Sequence, residues 1–550
     1  MDEPAGDQKM SDTVVEADVI IIGSGVAGAM AAYTLANKGV KVAILEAGPR
    51  IDRAAIVKKF TQSHKFDFSS GYPNEDWAPR PDWDPAEKPY FDHIGPAQAN
   101  VEYLRNVGGT TWHWSGFAIR LHPEDMKIKS TYGVGIDWHF DYAELEPYYS
   151  EAEKEMGVSG DDKDPHPPRS KPFPLPPIPR SYSDKIIAPK LEKMGIKFST
   201  PPAARNSRAY DGRSQCMGFG TCSPICPSGA QYAAVVHVNK SEKLGVRVLE
   251  NTRVDRIITD ASGKISEVHA KRPDGTDVTA RGRIFLLAAN GIESPRLLLM
   301  SANETYSKGL ANSSGRVGRY FFEHPGLVCR MVMPAPVYPR GPEATMSSDN
   351  FRNGDFRRTR AGFTFSIHNF AHHFEATSDL LEKGAEPPSL DSAIRDRVVR
   401  MIDMSSHMEQ LPSEKNGITL DWTRRDRAGQ PVMKHYYSFS DYENAGFEAA
   451  KETFRHITKA LDAELLSIQG PVTEHHPLGM AMMGKDKKTS VVDPHCRSHD
   501  HPNLFIVGTA VFPSCGMSRP TLTIAALAIR TAEEIARQLK KKRINRISTD

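Results

Sequence analysis

Residues 18–22 (DVIII) are a short apolar run opened by a single acid, the pattern of a strand covered on both faces. A glycine-rich turn follows, and then apolar residues at helical spacing over Ala27–Lys38. Val40–Leu45 resumes the strand pattern and ends at Glu46. Strand, glycine turn, helix and strand in this order predict one βαβ unit with parallel strands. Farther on, Arg247–Ile258 alternates as a half-buried strand does, and Ile284–Ala288 (IFLLA) is another buried strand. Asn290-Gly291 reads as a turn, with Pro295 in the first turn of a helix over Arg296–Ser301. Residues 330–470 carry several strand-like runs and a helix over Tyr442–Leu461, and predict a second lobe. Asn503–Val507 (NLFIV) is a late buried strand, and Thr521–Leu539 is a closing helix. Two segments have no clear period: residues 105–118 (RNVGGTTWHWSGFA), rich in glycine and aromatics, and residues 160–180, which proline and charge mark as an extended surface linker. No internal repeat is evident.

At 550 residues the chain is longer than one core supports, so two or more lobes are expected. A formal net charge of +2 gives no reason to expect nucleic acid as partner. No stretch approaches the ~20 apolar residues of a membrane span, so the chain has no transmembrane segment of its own. Met1–Glu16 is acidic and polar and reads as carrying no export signal. Cys329, Cys496 and Cys515 are scattered and read as buried small hydrophobes. Lys540–Arg543 is a basic run, read as a solvated helix end, with a membrane or partner surface as the alternative.

Two motifs carry chemistry. Gly23-x-Gly25-x-x-Gly28 lies at the strand-to-helix turn. There the first glycine allows the turn, the second lets backbone approach a pyrophosphate, and the third lets helix and strand close. Glu46 lies at the distance expected for a ribose ligand. This fingerprint alone does not choose NAD over FAD. Gly108 and Gly109 mark a second close backbone approach. The other motif is Cys216, Cys222 and Cys226 with Pro227, spaced C-x5-C-x3-C-P. Thiolates hold iron–sulfur clusters, and a proline after the last cysteine recurs in such loops. The alternatives are a zinc site completed by a histidine, or three inert buried thiols. With the fingerprint, the cysteines point to a flavin that passes electrons to iron and sulfur.

The fingerprint, GGTTWHW, AANGIESPRLLL at 288–299 and HHPLGMAMMG…NLFIVGTAVFP…PTLTIAALA together resemble the glucose–methanol–choline (GMC) oxidoreductases from about residue 17 to 538. WAPRPD, VGGTTWHW, STYGVG, ARNSRAYDGR and the cysteine run are similar to one branch, the catalytic large subunits of bacterial membrane-linked FAD-dependent glucose, fructose, gluconate and sorbitol dehydrogenases. The resemblance implies FAD and a [3Fe-4S] cluster on Cys216, Cys222 and Cys226, three cysteines that would also suit a four-iron cluster with one foreign ligand. It also implies a small subunit carrying an export signal, and a multihaem cytochrome c as electron acceptor. Related subunits have a cysteine directly after the first ligand that bonds to the small subunit; Met217 stands there, which puts a covalent tether in doubt. The cofactor set expected on this basis is Gly23, Gly25, Gly28, Glu46, Gly108, Gly109, Thr110, Val254, Ala289, Gly508, Thr509 and Thr521. By the HHPLGMAMMG match His476 is the base that takes the hydroxyl proton, with His475 beside it.

Arg519 occupies the family's second catalytic position, usually Asn or His, and cannot share a proton role. Three readings stay open. Arg519 stabilises a developing alkoxide or reduced flavin and depresses the His476 pKa; it clamps a substrate carboxylate; or it points away. His113, His324 and His407 read as packing or FAD-shell residues, and Trp112 and Trp114 as pocket wall or core.

The expected architecture is α/β (α+β overall): a Rossmann-type FAD lobe (15–60, 95–150, 240–325 and 490–540) and a substrate lobe with an antiparallel sheet (61–94, 151–239 with the cysteine loop 214–228, and 326–489), then a basic tail (541–550). The expected activity is oxidation of a hydroxyl on a small sugar, sugar acid or glycoside, with electrons leaving through the cluster. An oxidase using oxygen, a non-redox lyase and an inactive flavoprotein are the alternatives. The expected location is the periplasmic side of the inner membrane by co-export with a partner, or otherwise the cytoplasm.

Overall fold

The computed structural model describes residues 13–63, 71–81, 89–164 and 167–547. The reading of the extreme N-terminus and the last residue of WAPRPD fall outside them. Strand 13–22 is the axis of a seven-stranded sheet. It pairs in parallel with 42–45 on one side, Val19 opposite Val42, and with 277–287 on the other, Ile20 opposite Phe285. Strand 247–249 extends the parallel sheet beyond 42–45. Strand 277–287 forks: its first half pairs antiparallel with 265–271, and its last three residues pair in parallel with 504–506. The apolar runs account for this, because Val19–Ile21, Ala43–Ile44 and Phe285–Leu287 are wholly buried and only a sheet covered on both faces tolerates them. Helix 26–36 (VAGAMAAYTLA) is small-sided and packs closely against the long helix 521–547, which also packs on helix 142–156.

The second lobe is built on a five-stranded sheet in the order 464–473, 325–332, 401–408, 363–367 and 347–348, with every pair antiparallel. Helix 441–460 covers one face through Ala450, Phe454 and Ile457, packed with Ile402, Met404 and Met408. Side chains alternate along a strand, so Asp403, Ser405 and His407 turn to the opposite face. A three-stranded sheet, 417–425, 431–436 and 91–93, completes the lobe.

Three local expectations change. Strand 13–22 starts before residue 18, because Thr13–Ala17 pair with Val278–Gly282. Asn290-Gly291 is not a free turn: helix 290–300 begins there with Pro295 inside it. Asn290 makes this possible, at φ +62°, by accepting from the Ile292 and Glu293 amides at 2.7 and 2.9 Å through its own side chain. Residues 167–180 are irregular, yet Phe173, Leu175 and Ile178 are buried, so this stretch is anchored rather than merely superficial. The basic run continues the closing helix, which extends to Ile547. Cys329, Cys496 and Cys515 are buried, as their scatter predicts.

Candidate active site

The glycine turn opens onto a cleft in two connected parts. One, about 770 Å³, is lined by Gly23, Gly25, Glu46, Gly109, Thr110, Val254 and Ala289. The other, about 1280 Å³, shares Gly25 and Thr110 and continues to Gly508, Thr509 and Thr521 at the start of the closing helix. A Cβ on Gly25 would meet nothing within 4 Å, so the backbone there is bare towards the cleft. At Gly28 a Cβ would lie 2.0 Å from the Gly23 carbonyl oxygen; the helix rests directly on the turn. Helix 26–36 presents unpaired amides of its first turn towards the bare glycine, the setting for a pyrophosphate.

Glu46 is buried with one oxygen accepting from the Ser24 amide and hydroxyl at 2.9 and 2.7 Å, and the other from the Gly48 amide at 3.1 Å. Burial pushes its pKa up, and those donors oppose the rise. The carboxylate therefore braces the glycine turn while keeping lone pairs on the cleft. Gly108 lies behind the wall: its amide donates to the Ser24 hydroxyl at 3.1 Å, and a Cβ would strike Trp112 Nε1 at 2.9 Å. The two connected cavities, the bare Gly25 and the Glu46 carboxylate at the strand end fit FAD.

At the far end, the larger cavity brings together Glu474, His475, His476, Arg519, Glu343, His113 and Trp114. His476 Nδ1 lies 3.1 Å from His324 Nδ1, and His324 Nε2 lies 3.0 Å from the Gly516 carbonyl oxygen. His407 stacks on His324 with ring centroids 4.6 Å apart, and its Nδ1 is 3.5 Å from Glu474 Oε2. The nearest atoms of His324, His407 and His476 lie within 4.8 Å of one another, which would suit one metal ion. The 3.1 Å nitrogen pair and the carbonyl contact instead describe a hydrogen-bonded chain. Burial holds the His476 pKa well below the usual imidazole value, and His407, Arg519 and His475 push it the same way against Glu474. Burial opposes ionisation of Glu474, but His407, Arg519 and His476 outweigh it and keep this acid charged. His475, at φ +60°, accepts from the Glu102 amide at 3.2 Å through Nδ1.

Arg519 is buried and does not point away. It lines this cavity and a smaller one behind it that includes His122, Asp349 and Met517, and its guanidinium sits 4.3 Å from the centre of the Phe117 ring. Burial lowers its pKa, and Glu474 and Glu343 counter that.

The three cysteines line one small pocket with Arg205, Gln231 and Pro342. All are free thiols. Backbone amides point at two of them: Glu343 to Cys222 Sγ and Gln231 to Cys226 Sγ, each 3.5 Å. Burial raises the Cys222 thiol to about 11, with Arg205 opposing. The thiols thus share a pocket, with amide donors on two of them, and these three residues could hold a metal cluster. The loop backs onto the cofactor cavity: Ser223, next to Cys222, lines it. Gln231 Nε2 donates to the Trp114 carbonyl and, at 3.2 Å, to the Cys222 carbonyl. Arg53 donates to the Cys226 carbonyl at 2.6 Å and lies over the Trp112 ring.

Sequence reasoning missed Glu474, Glu343 and Ser223 as cavity residues, and assigned His324 and His407 to packing or the cofactor shell. His324 precedes one strand and His407 lies on its neighbour; only the antiparallel register sets both beside His476. The alternation of Met404, Ser406 and Met408 with Ser405 and His407 is the signal that would have found the latter.

Two family models described as GMC oxidoreductase match residues 185–326 and 412–528, and one described as FAD dependent oxidoreductase matches 18–62. The chain is 37% identical to the fructose dehydrogenase large subunit of Gluconobacter japonicus over 97% of this chain and 100% of that one. It is 24% identical to the gluconate 2-dehydrogenase flavoprotein of Pantoea cypripedii over 97% and 95%. A formate oxidase structure from Aspergillus oryzae superposes with a TM-score of 0.65 at 15% identity, covering 96% of this chain and 100% of that chain; at that identity the likeness concerns the fold. With a full-length relative at 37% identity, a bare-glycine cleft and both lobes in place, this chain belongs to the GMC oxidoreductase family and is an FAD-dependent oxidoreductase.

Proposed function

We propose that this enzyme is a dehydrogenase that oxidises a hydroxyl of a sugar, sugar acid or glycoside and delivers electrons to an external carrier rather than to oxygen. Bound FAD supplies the hydride acceptor. His476 removes the hydroxyl proton; its depressed pKa keeps it neutral and ready to accept at neutral pH. Arg519, a buried cation beside the base, stabilises the negative charge that develops as the proton leaves. A substrate carboxylate would meet the same guanidinium, so sugar acids stand beside neutral sugars in the reading. His475 lines the cavity beside the base. Trp114 and Phe117 wall the cavity and exclude water.

Cys216, Cys222 and Cys226 would hold a [3Fe-4S] cluster that supplies a one-electron outlet. The observation that carries this reading is the placement of the cysteine loop: Ser223 and Cys222 are adjacent residues, one on the flavin cavity and the other on the thiol pocket. A cluster held by this loop would lie beside the cavity that would hold FAD and would need no moving carrier. The loop's outer edge, Met217 and Phe219, is exposed. A cytochrome c acceptor, a small subunit and a location on the periplasmic side of the membrane by co-export belong to the same reading.

Anaerobically purified enzyme tests it by visible and EPR spectra with D-glucose, D-fructose, D-gluconate and D-sorbitol. The expected result is about three irons per flavin, an EPR signal in the oxidised state, flavin bleaching by one of the four compounds, and little peroxide under air. Stoichiometric flavin without iron, together with rapid peroxide formation, would establish an oxidase instead.

A further inference from the structure

We propose that His324 is a positioning residue that fixes which nitrogen of His476 acts as the base. The proposal rests on the reading of His476 as that base. A backbone carbonyl only accepts, so at 3.0 Å from the Gly516 oxygen, His324 Nε2 must carry its hydrogen. A neutral imidazole has one donor and one acceptor, so His324 Nδ1 is then a lone pair. That lone pair faces His476 Nδ1 at 3.1 Å, and His476 Nδ1 must donate. His476 Nε2 is left unprotonated and is the nitrogen free for the cavity, the state a base needs before it meets an alcohol.

The neutrality of His324 is supported by its surroundings. It is fully buried, and burial, His407, His476 and Arg519 all hold its pKa well below the usual imidazole value. A cationic His324 would place donors on both sides and leave His476 with the wrong face protonated. His407 helps by geometry: it stacks on His324 at 23° between ring planes and keeps the ring edge on the line from Gly516 to His476. The anchor itself is rigid. Gly516 lies against Asp125, whose carboxylate would be 2.2 Å from a Cβ at that position, and the neighbouring Ser518 hydroxyl donates to the Arg120 carbonyl at 2.9 Å. The carbonyl therefore sets a proton arrangement that reaches the reacting atoms through two rings. His324 makes no contact with substrate in this scheme; it acts only through His476.

Two measurements test this. In solid-state ¹⁵N NMR of the FAD-loaded wild type, with His476→Gln for assignment, His476 should carry its hydrogen on Nδ1 and show a bare Nε2. A hydrogen on Nε2 at neutral pH would overturn the proposal without any variant having to fold. In anaerobic stopped-flow with whichever of the four carbohydrates bleaches the flavin, His324→Leu should slow flavin reduction at saturation by roughly 10²-fold, the lower range for loss of an oriented acid–base group, with half-saturation little changed. His324→Asn, whose Oδ1 stands where Nδ1 stood, should recover part of the rate. If His476→Ala reduces its flavin normally, the base assignment itself fails. If His476→Ala is inactive while His324→Leu, with a full complement of FAD, matches wild type, the base stands and the positioning role is wrong.

Discussion

Asp125→Asn probes the joint that holds the two lobes together behind the active site. Asp125 is fully buried on the short helix 123–126. Its carboxylate is paired with Arg352, and with Arg357 at 3.1 Å; Arg357 in turn is paired with Glu409 at 2.6 Å. Arg352, Arg357 and Glu409 come from the second lobe, so the carboxylate joins the lobes. Burial alone would raise the Asp125 pKa, but Arg352 and Arg357 outweigh it and hold the group at about 2 against an ordinary 3.8. That preference for the charged form corresponds to roughly 2 kcal/mol. Its sign is fixed: the contribution is complete above the unfolded value of 3.8 and is lost as pH falls through about 2. Asparagine removes the charge at every pH and leaves Arg352 without its carboxylate, a situation that costs about 3–5 kcal/mol when a buried ion is orphaned. Since Arg357 retains Glu409, the expected loss is about 2–4 kcal/mol. It should appear as a melting midpoint lower by several degrees, followed by FAD fluorescence on release and by far-UV circular dichroism at one scan rate. Replacing the orphaned cation as well, in Asp125→Asn/Arg352→Met, should restore part of the loss. An Asp125→Asn midpoint within about 1 °C of wild type, or a double variant as unstable as the sum of the singles, would refute the ion-pair account.

Gly28→Ala would set a methyl 2.0 Å from the Gly23 carbonyl oxygen and should yield protein with little FAD, read from the ratio of absorbance at 450 and 280 nm; a full flavin complement would show that the turn can move. Glu46→Ala removes the acceptor for Ser24 and Gly48 and should weaken FAD retention during dialysis, while an unchanged off-rate would deny Glu46 its place in the site. The base His476 is faced by His324, His407, Glu474, His475, Glu323 and Arg519, and burial holds its pKa below 6.5. The rate of flavin reduction should therefore be flat through pH 6.5 and fall only as acid protonates His476 below it; a fall centred above 6.5 would contradict the depressed pKa. Cys222→Ser should lose iron while keeping FAD and substrate-dependent bleaching, and should slow transfer to a one-electron dye; iron content equal to wild type would remove Cys222 as a ligand.

Much of the fold was legible because its signals are local. The strand at 18–22, the glycine turn, the helix after it and the strand ending at Glu46 need only a run of apolar residues and two forced glycines. Cys216, Cys222 and Cys226 are close in sequence, so the loop that carries them is short enough to place all three in one pocket. The start of helix 290–300 was misread because Asn290 caps it with its own side chain, and the dipeptide Asn-Gly looks the same in a turn. Arg519 is identifiable as a departure from the family pattern, but nothing in its neighbours says which way it points; burial against Phe117 decides that.

What the sequence by itself determined is the presence of a dinucleotide-binding βαβ unit, a second lobe, and a histidine pair in a family motif. What only the tertiary structure decided is which groups surround that histidine. His324, His407 and Gly516 lie 152, 69 and 40 positions from His476 in the chain, and no periodicity connects them. They meet because two antiparallel strands set His324 and His407 side by side, and because the closing segment folds back beneath them. Proton arrangement depends on distances of about 3 Å, and such distances between remote segments are set by the packing of whole lobes rather than by any local pattern.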